Sequence, residues 1–414
     1  MTKGKKYYLL ALICLLFLIS YLDRVIISIT APSMMKEFKF DAGTMGLIFS
    51  AFAYPYALLQ MVGGSLGDKF GPRKVLTGLM AWWSIFCIFT GQAWNFISLF
   101  VYRLAFGLGE AGGFPVATRA LRGTFGQESN GFLQGLTHAA SRFGGAVAPP
   151  IVVFVMVKWD WRAPFYLLGA IGLVWAILFW FSFREEATDG EAKKVEKLPW
   201  KRLLSSKNMW MLVFTDFCYG YSLWIYLTWM PTYLTGERHF SIIKMGFYAS
   251  LPLTLGIFGD LLGGWVSDWM YKVKGDLKLA RRLPIAVAFP MASVLVWFGL
   301  NAITGVAAVW YLAGAFFFLE LANANLWATA MDVGGKKYSG TTSGMMNTGF
   351  GVAGIISPMV FGYLLKYTGS WSYPFYVGAG LLLLGTVAIF FVDPTKSLDS
   401  GELPIHQGGV NVSK

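Results

Sequence analysis

The sequence predicts an all-α membrane protein of twelve transmembrane helices, arranged as two pseudo-symmetric six-helix halves. Three observations predict it. Of 414 residues 56% are apolar and only 14% charged, with a mean hydropathy of +0.55, whereas soluble domains carry nearer a quarter charged residues. Apolar runs such as Ser84–Phe100, Ala170–Phe183 and Leu381–Val392 are too long and too frequent for an aqueous core, since a spanning helix takes about 20 such residues. Finally, segments of the first half recur in the second. Gly63-Gly64-Ser65-Leu66-Gly67-Asp68 returns as Gly263-Gly264-Trp265-Val266-Ser267-Asp268, and "FGGAVAPP" (143–150) as "GVAGIISP" (351–358). Each of the latter is followed by a proline-aromatic-tyrosine: Pro164-Phe165-Tyr166 and Pro374-Phe375-Tyr376. Related halves enclosing a midplane site are the signature of a secondary transporter.

Apolar runs read against charged or Pro/Gly breaks place the spans near 7–31, 45–66, 75–92, 96–117, 131–157, 162–183, 209–234, 243–266, 284–301, 306–330, 340–366 and 373–392. The first follows Lys3, Lys5 and Lys6 as a signal peptide would. It is too long, carries Asp23-Arg24 and lacks a small-x-small cleavage site, so it reads as an uncleaved span. The halves are then 1–183 and 208–392, joined by a polar cytoplasmic linker at 184–207 that ends in a short surface helix; 393–414 form a cytoplasmic tail. With both termini inside, inner segments hold about 24 of the 34 lysines and arginines, outer loops about 7, and the spans three, Arg24, Arg103 and Arg142. That bias obeys the positive-inside rule. The net charge of +12 is therefore topological and calls for no nucleic-acid partner. Cys14, Cys87 and Cys218 all fall in spans and suggest neither disulfide nor metal site.

Within this frame the motifs become specific. "GGSLGDKFGPRKVL" (63–76) resembles the loop 2–3 motif of the major facilitator superfamily at Gly64, Asp68, Lys69, Gly71, Arg73 and Lys74. "RLAFGLGEAGGFP" (103–115) resembles the Arg-x-x-x-Gly-x-x-Glu pattern of its anion:cation symporter family, and "YLDR" (21–24) and "LTWMPTYL" (227–234) are similar too. That family includes bacterial hexuronate, galactonate and glucarate carriers and the vesicular glutamate and sialic acid carriers. The resemblance covers nearly the whole chain. It implies the major facilitator fold, a cell (inner or plasma) membrane location with many passes, a monomer as the working unit, and no cofactor beyond protons as coupling ion.

Charges inside a bilayer cost several kcal/mol each and point to function. Asp23, Arg24, Arg103, Glu110, His138 and Arg142 cluster in spans 1, 4 and 5. Asp23 and Arg103 lie at similar depth and are expected to pair. Glu110 follows Arg103 by two helical turns, on the same face and about 10 Å deeper. Arg24 keeps its charge and forks onto carboxylates, so it is the first choice for gripping an anion. The resemblance implies the same role for Arg24 and proton coupling for Asp23 and Glu110, with Arg103 as their internal counter-ion. Burial favours a neutral carboxyl and a nearby arginine a charged one, so arrival and departure of an anion would switch proton occupancy. The cluster should line a water-filled chamber.

Polar side chains able to face that chamber are Tyr21, Tyr56, His138 and Ser141 in the first half and Tyr219, Asn323, Asn325 and Asn347 in the second. The resemblance places Tyr21, Tyr56, Ser141 and Asn347 where sugar-acid carriers touch substrate. Arg142 departs from the family pattern, which has an uncharged residue there; a second anionic group on the substrate, as in a dicarboxylate or sulfonate, would explain it. Asp216 falls near the inner end of span 7, where water would reach it, and Asp260 near an inner gate. Glu320, at mid-span 10, is a further possible proton site. Asp68 and Arg73, with Asp268 as counterpart, form a candidate charge latch at the inner helix ends when the chamber opens outward.

The expected function is a proton-coupled symporter that imports a small organic anion (sugar acid, carboxylate, dicarboxylate or sulfonate) by alternating access. The alternative is a proton-coupled exporter or antiporter, whose span-5 Gly-Pro-x-x-Gly-Gly is matched only partly by "GGAVAPP" (144–150). A membrane sensor would need a soluble signalling domain, and the tail is too short for one. No nucleophile motif, metal-ligand spacing or phosphate loop suggests an enzyme.

Overall fold

A computed structural model describes residues 3–125, 130–183 and 203–398. The described residues form helices joined by short turns, with no strand among them. The first half holds α1 (Lys3–Phe38), α2 (Ala42–Phe70), α3 (Pro72–Gly91), α4 (Phe96–Glu110), α5 (Gly113–Phe125), α6 (Asn130–Lys158) and α7 (Ala163–Ser182). The second holds α8 (Lys207–Gly236), α9 (Ile242–Lys274), α10 (Leu277–Leu300), α11 (Gly305–Gly335), α12 (Tyr338–Thr368) and α13 (Ser372–Ile389). Ten of them are long and apolar enough to cross a membrane. The expected span 4 is shared by α4 and α5, which part at Ala111-Gly112, and α8 is the remaining crossing. Twelve crossings in two halves therefore stand as expected.

Several helices outrun their apolar runs. The first crossing was expected over 7–31, but α1 reaches Phe38, because helix continues into the polar rim after the apolar pattern ends. Between α11 and α12 there is no loop: Gly335 (φ 63°, ψ −163°) turns the chain by itself. A side chain would strain that backbone, and glycine does not. The linker at 184–202 and the tail from 399 onward lie outside the described residues.

The repeated motifs occupy equivalent places. Pro164 and Pro374 sit in the first turns of α7 and α13, where a missing N–H costs nothing. Phe165 and Phe375 are buried beneath them. Tyr166 donates to the carbonyl of Gly91 at the end of α3 (3.1 Å), and Tyr376 accepts from Asn301 at the end of α10 (3.2 Å). Likewise Gly144 lies against the Leu18 carbonyl of α1, and Gly354 against the Trp224 ring of α8.

The halves meet where α2 packs on α12, α6 on α9, and α1 on α8. Their tightest approach lies toward the face opposite the chain termini. There Gly46 abuts the Pro358 carbonyl, Gly362 that of Ala42, Gly246 the Val153 side chain, and Ser50 donates to the Ile355 carbonyl at 2.7 Å. Phe49 meets Trp229 edge-on at 5.2 Å. The structure is thus shut at that face. Asp41 adds an ion pair across the seam with Lys366 (2.9 Å), and it caps α2 by accepting from the Thr44 amide (2.7 Å). The Thr44 amide, then Lys366, hold the Asp41 carboxyl below its usual range. A depressed carboxyl contributes above its ordinary range, and the contribution fades as pH falls through the depressed value. Solvent screens the pair. Asp41→Asn, which keeps an N-cap, should lower the melting temperature only slightly at neutral pH and not at all in strong acid, as read by thermal unfolding at both pH values.

At the terminal face of the second half, residues 392–398 form a strap. Asp393 exchanges two hydrogen bonds with Asn208 (2.9 and 2.6 Å) and pairs with Lys278 (2.9 Å). Arg282 donates to the Val392 carbonyl (2.7 Å), and the Leu398 amide donates to that of Val333 (2.8 Å). Leu398 packs among Leu203, Met209 and Val333. A cleft of about 920 Å³ opens beside the strap, away from the intramembrane charges.

Candidate functional site

The intramembrane charges form two groups. The first lies inside the first half. Arg24 of α1 donates to Glu110, the last residue of α4, at 2.8 Å, and the Ser20 hydroxyl donates to the same oxygen. Three rings surround the Arg24 guanidinium: Tyr21 (4.7 Å), Tyr56 (4.7 Å) and Phe52 (5.1 Å). Phe52 also faces Arg103 (5.4 Å), which rests on Phe106 at 4.7 Å. Asp23, one residue from Arg24 and so about 100° around the helix, turns toward α3 and accepts from the Cys87 thiol (3.7 Å).

This arrangement corrects three expectations. Asp23 and Arg103 form no ion pair: Asp23 is directed at α3, while Arg103 is held by Phe52 and Phe106. Glu110 takes Arg24, not Arg103, as its cation. The cluster is also closed to water in this conformation, with Arg24, Arg103 and Glu110 only 4%, 2% and 3% exposed. Aromatic cover and the shut seam account for that. Yet one oxygen each of Asp23 and Glu110, and the Nε of both arginines, are buried without a hydrogen-bond partner. An unsatisfied buried polar atom costs about 1–3 kcal/mol, which folds keep where function needs it.

The second group bridges the halves. Arg142 of α6 donates to Glu320 of α11 at 2.6 Å, and the Tyr219 hydroxyl of α8 reaches the other Glu320 oxygen at 3.4 Å. Asn323, one turn along α11, donates to Asp260 of α9 (3.2 Å). His138 stacks on Phe114 (5.4 Å) and approaches Trp327 (6.2 Å). Arg142 keeps 15% side-chain exposure, whereas Glu320 has none.

Other expected residues sit apart from these groups. The Ser141 hydroxyl is buried and donates to the Thr137 carbonyl of its own helix (3.1 Å). Asn325 is buried and donates to the Gly263 and Leu321 carbonyls, holding α9 to α11 rather than lining a chamber. Asp216, expected to be solvated, is buried and accepts from the Phe350 amide (3.2 Å), because α12 covers it. Asn347 is half-buried on α12. Arg73 donates to the Trp180 carbonyl (2.6 and 2.9 Å) and Asp268 pairs with Arg281 (3.3 Å), each within its own half; the Asp68 side chain lies outside the described set. The latch was expected for the opposite, outward-open conformation. Sequence reasoning missed Ser20, Phe52 and Cys87. The spacing of Phe52 and Tyr56, one helical turn apart, was the available signal for Phe52.

The sequence matches the Major Facilitator Superfamily over residues 13–358. The chain belongs to the major facilitator superfamily. A "Probable sulfoacetate transporter SauU" from Cupriavidus necator is 42% identical, with 95% of each chain covered. The hexuronate transporter of Bacillus subtilis is 33% identical over 95% of this chain and 96% of its own. A "Probable galactarate/D-glucarate transporter GarP" of Escherichia coli is 30% identical over the same shares. A solved bacterial homologue of the human lysosomal transporter Spinster, inward-facing and occupied, shares the fold. Its TM-score is 0.78 at 17% identity, covering 95% of this chain and 96% of that one. This superfamily member is thus a multi-pass membrane transporter of the hexuronate and glucarate type, and not an enzyme.

Proposed function

We propose that the protein is a proton-coupled symporter that imports a small organic anion across the plasma membrane, with both termini cytoplasmic. One observation carries the reading: Glu110 already occupies the guanidinium that an anion would need. An anion taking Arg24 must displace Glu110, and a buried carboxylate stripped of its cation is strongly unfavourable. A proton on Glu110 removes the penalty, so anion and proton enter together. Asp23, buried beside Cys87 with one oxygen unpartnered, is a second proton carrier. Names borne by the relatives, sulfoacetate, hexuronate and galactarate/glucarate carriers, support an organic anion as cargo. The membrane potential opposes anion import by about 2.3 kcal/mol per charge per 100 mV, and co-transported protons offset it.

Glu110→Gln tests the coupling. In proteoliposomes this variant should exchange labelled sulfoacetate for unlabelled at near the parent rate, yet fail to accumulate it when the outside is acidified. Equal loss of exchange and accumulation would take Glu110 out of the coupling role.

A further inference from the structure

Arg142 and Glu320 are left unused by this mechanism, although a buried ion pair joining two moving halves is a costly feature. Their surroundings are those of a binding subsite. Arg142 is the more accessible member; Tyr219 of α8, Asp260 of α9 and His138 of α6 are within electrostatic range of it, and Asn323 of α11 bonds Asp260. Tyr21 links this group to the first: its ring lies 4.7 Å from the Arg24 guanidinium, and its hydroxyl is within electrostatic range of Arg142.

Spacing limits what both arginines would hold. α1 and α6 cross in the same direction, and Gly144 lies level with Leu18. Arg24 is six positions beyond Leu18 and Arg142 two before Gly144, an axial offset of eight residues, or about 12 Å. Counted along the two backbones, before the reach of either side chain, that offset is on the scale of one small molecule carrying an acid group at each end.

Resting on the symport reading above, we infer that the cargo is a compact two-headed anion, a sulfonate-carboxylate or short dicarboxylate, with Arg24 holding one head and Arg142 the other. Glu320 is the stand-in for the second head in the empty protein, as Glu110 is for the first. When the anion takes Arg142, Glu320, like Glu110, takes up a proton and keeps the Tyr219 hydroxyl as its partner. Because Arg142 and Glu320 belong to opposite halves, the second head also replaces a bridge between the halves with ligand contacts.

The test compares sulfoacetate with its one-headed analogues methanesulfonate and acetate, by isothermal titration of the purified full chain in detergent. The parent should prefer the two-headed ligand by about ten-fold or more, the worth of one charge-assisted contact. Arg142→Gln should bring that preference to within about two-fold of unity, and Arg142→Lys should keep part of it. If Arg142→Gln folds poorly on size-exclusion chromatography, Arg142→Gln/Glu320→Gln removes both charges together and should show the same loss. A parent that binds one-headed anions as tightly, or an Arg142→Gln that keeps the preference, overturns the inference and leaves the symport reading standing. Failure of every anion to bind overturns both.

Discussion

Replacing Arg24 with alanine is expected to abolish anion binding, with affinity falling at least about 100-fold, the loss of a forked, charge-assisted contact. The guanidinium is the charged centre of the first group, enclosed by Tyr21, Phe52 and Tyr56 and paired with Glu110. Two consequences of its removal must be separated. The ligand loses its cation, and Glu110 becomes an uncompensated buried charge, which costs about 3–5 kcal/mol of stability. Arg24→Ala/Glu110→Gln distinguishes them: its thermal stability should recover toward the parent, while binding by titration should remain absent. Restored binding in the double variant would show that Arg24 merely neutralises Glu110. Arg24→Lys keeps the charge but not the planar fork, and should fall between.

The second large effect is expected at Gly46. A β-carbon there would sit 2.5 Å from the Pro358 carbonyl, backbone against backbone, where neither side can rotate away. Overpacking of this kind costs about 1–3 kcal/mol. Because the contact joins the two halves, the cost falls on the conformation shut at the face opposite the termini and not on either half alone. A penalty of that size moves a two-state population by about five-fold or more. Gly46→Ala should therefore lower transport by about that factor while each half stays folded. Spin labels at Lys39 and Tyr367, both exposed near the seam, should report longer distances by pulsed resonance. Parent-like distances and transport in Gly46→Ala would remove this contact from the cycle.

Much of the fold could be read from the sequence, because each crossing is a local pattern of apolar residues between breaks. The halves were legible too, since Pro164-Phe165-Tyr166 and Pro374-Phe375-Tyr376 repeat a local need at the start of a helix. The partners of the charges were not. Depth along a helix put Asp23 level with Arg103, but depth says nothing of direction around the axis, and Asp23 points to Cys87. Arg142 and Glu320 lie 178 positions apart and on different halves; no periodicity connects them. Asp216 near a helix end looked solvated because the covering Phe350 lies 134 residues away. Phe52 was overlooked because an aromatic in an apolar run looks like ordinary lipid-facing packing, while here it sits between two guanidiniums.

The strap at 392–398 has a practical consequence. It ties the beginnings of α8 and α10 to the end of α11 through Asn208, Lys278, Arg282 and Val333, like a girth around three staves. An affinity handle or fluorescent fusion grafted after Leu398 leaves that binding intact. One grafted at Val392 would sever it, so any loss of expression or melting temperature there would reflect a loosened second half and not an injured transport route.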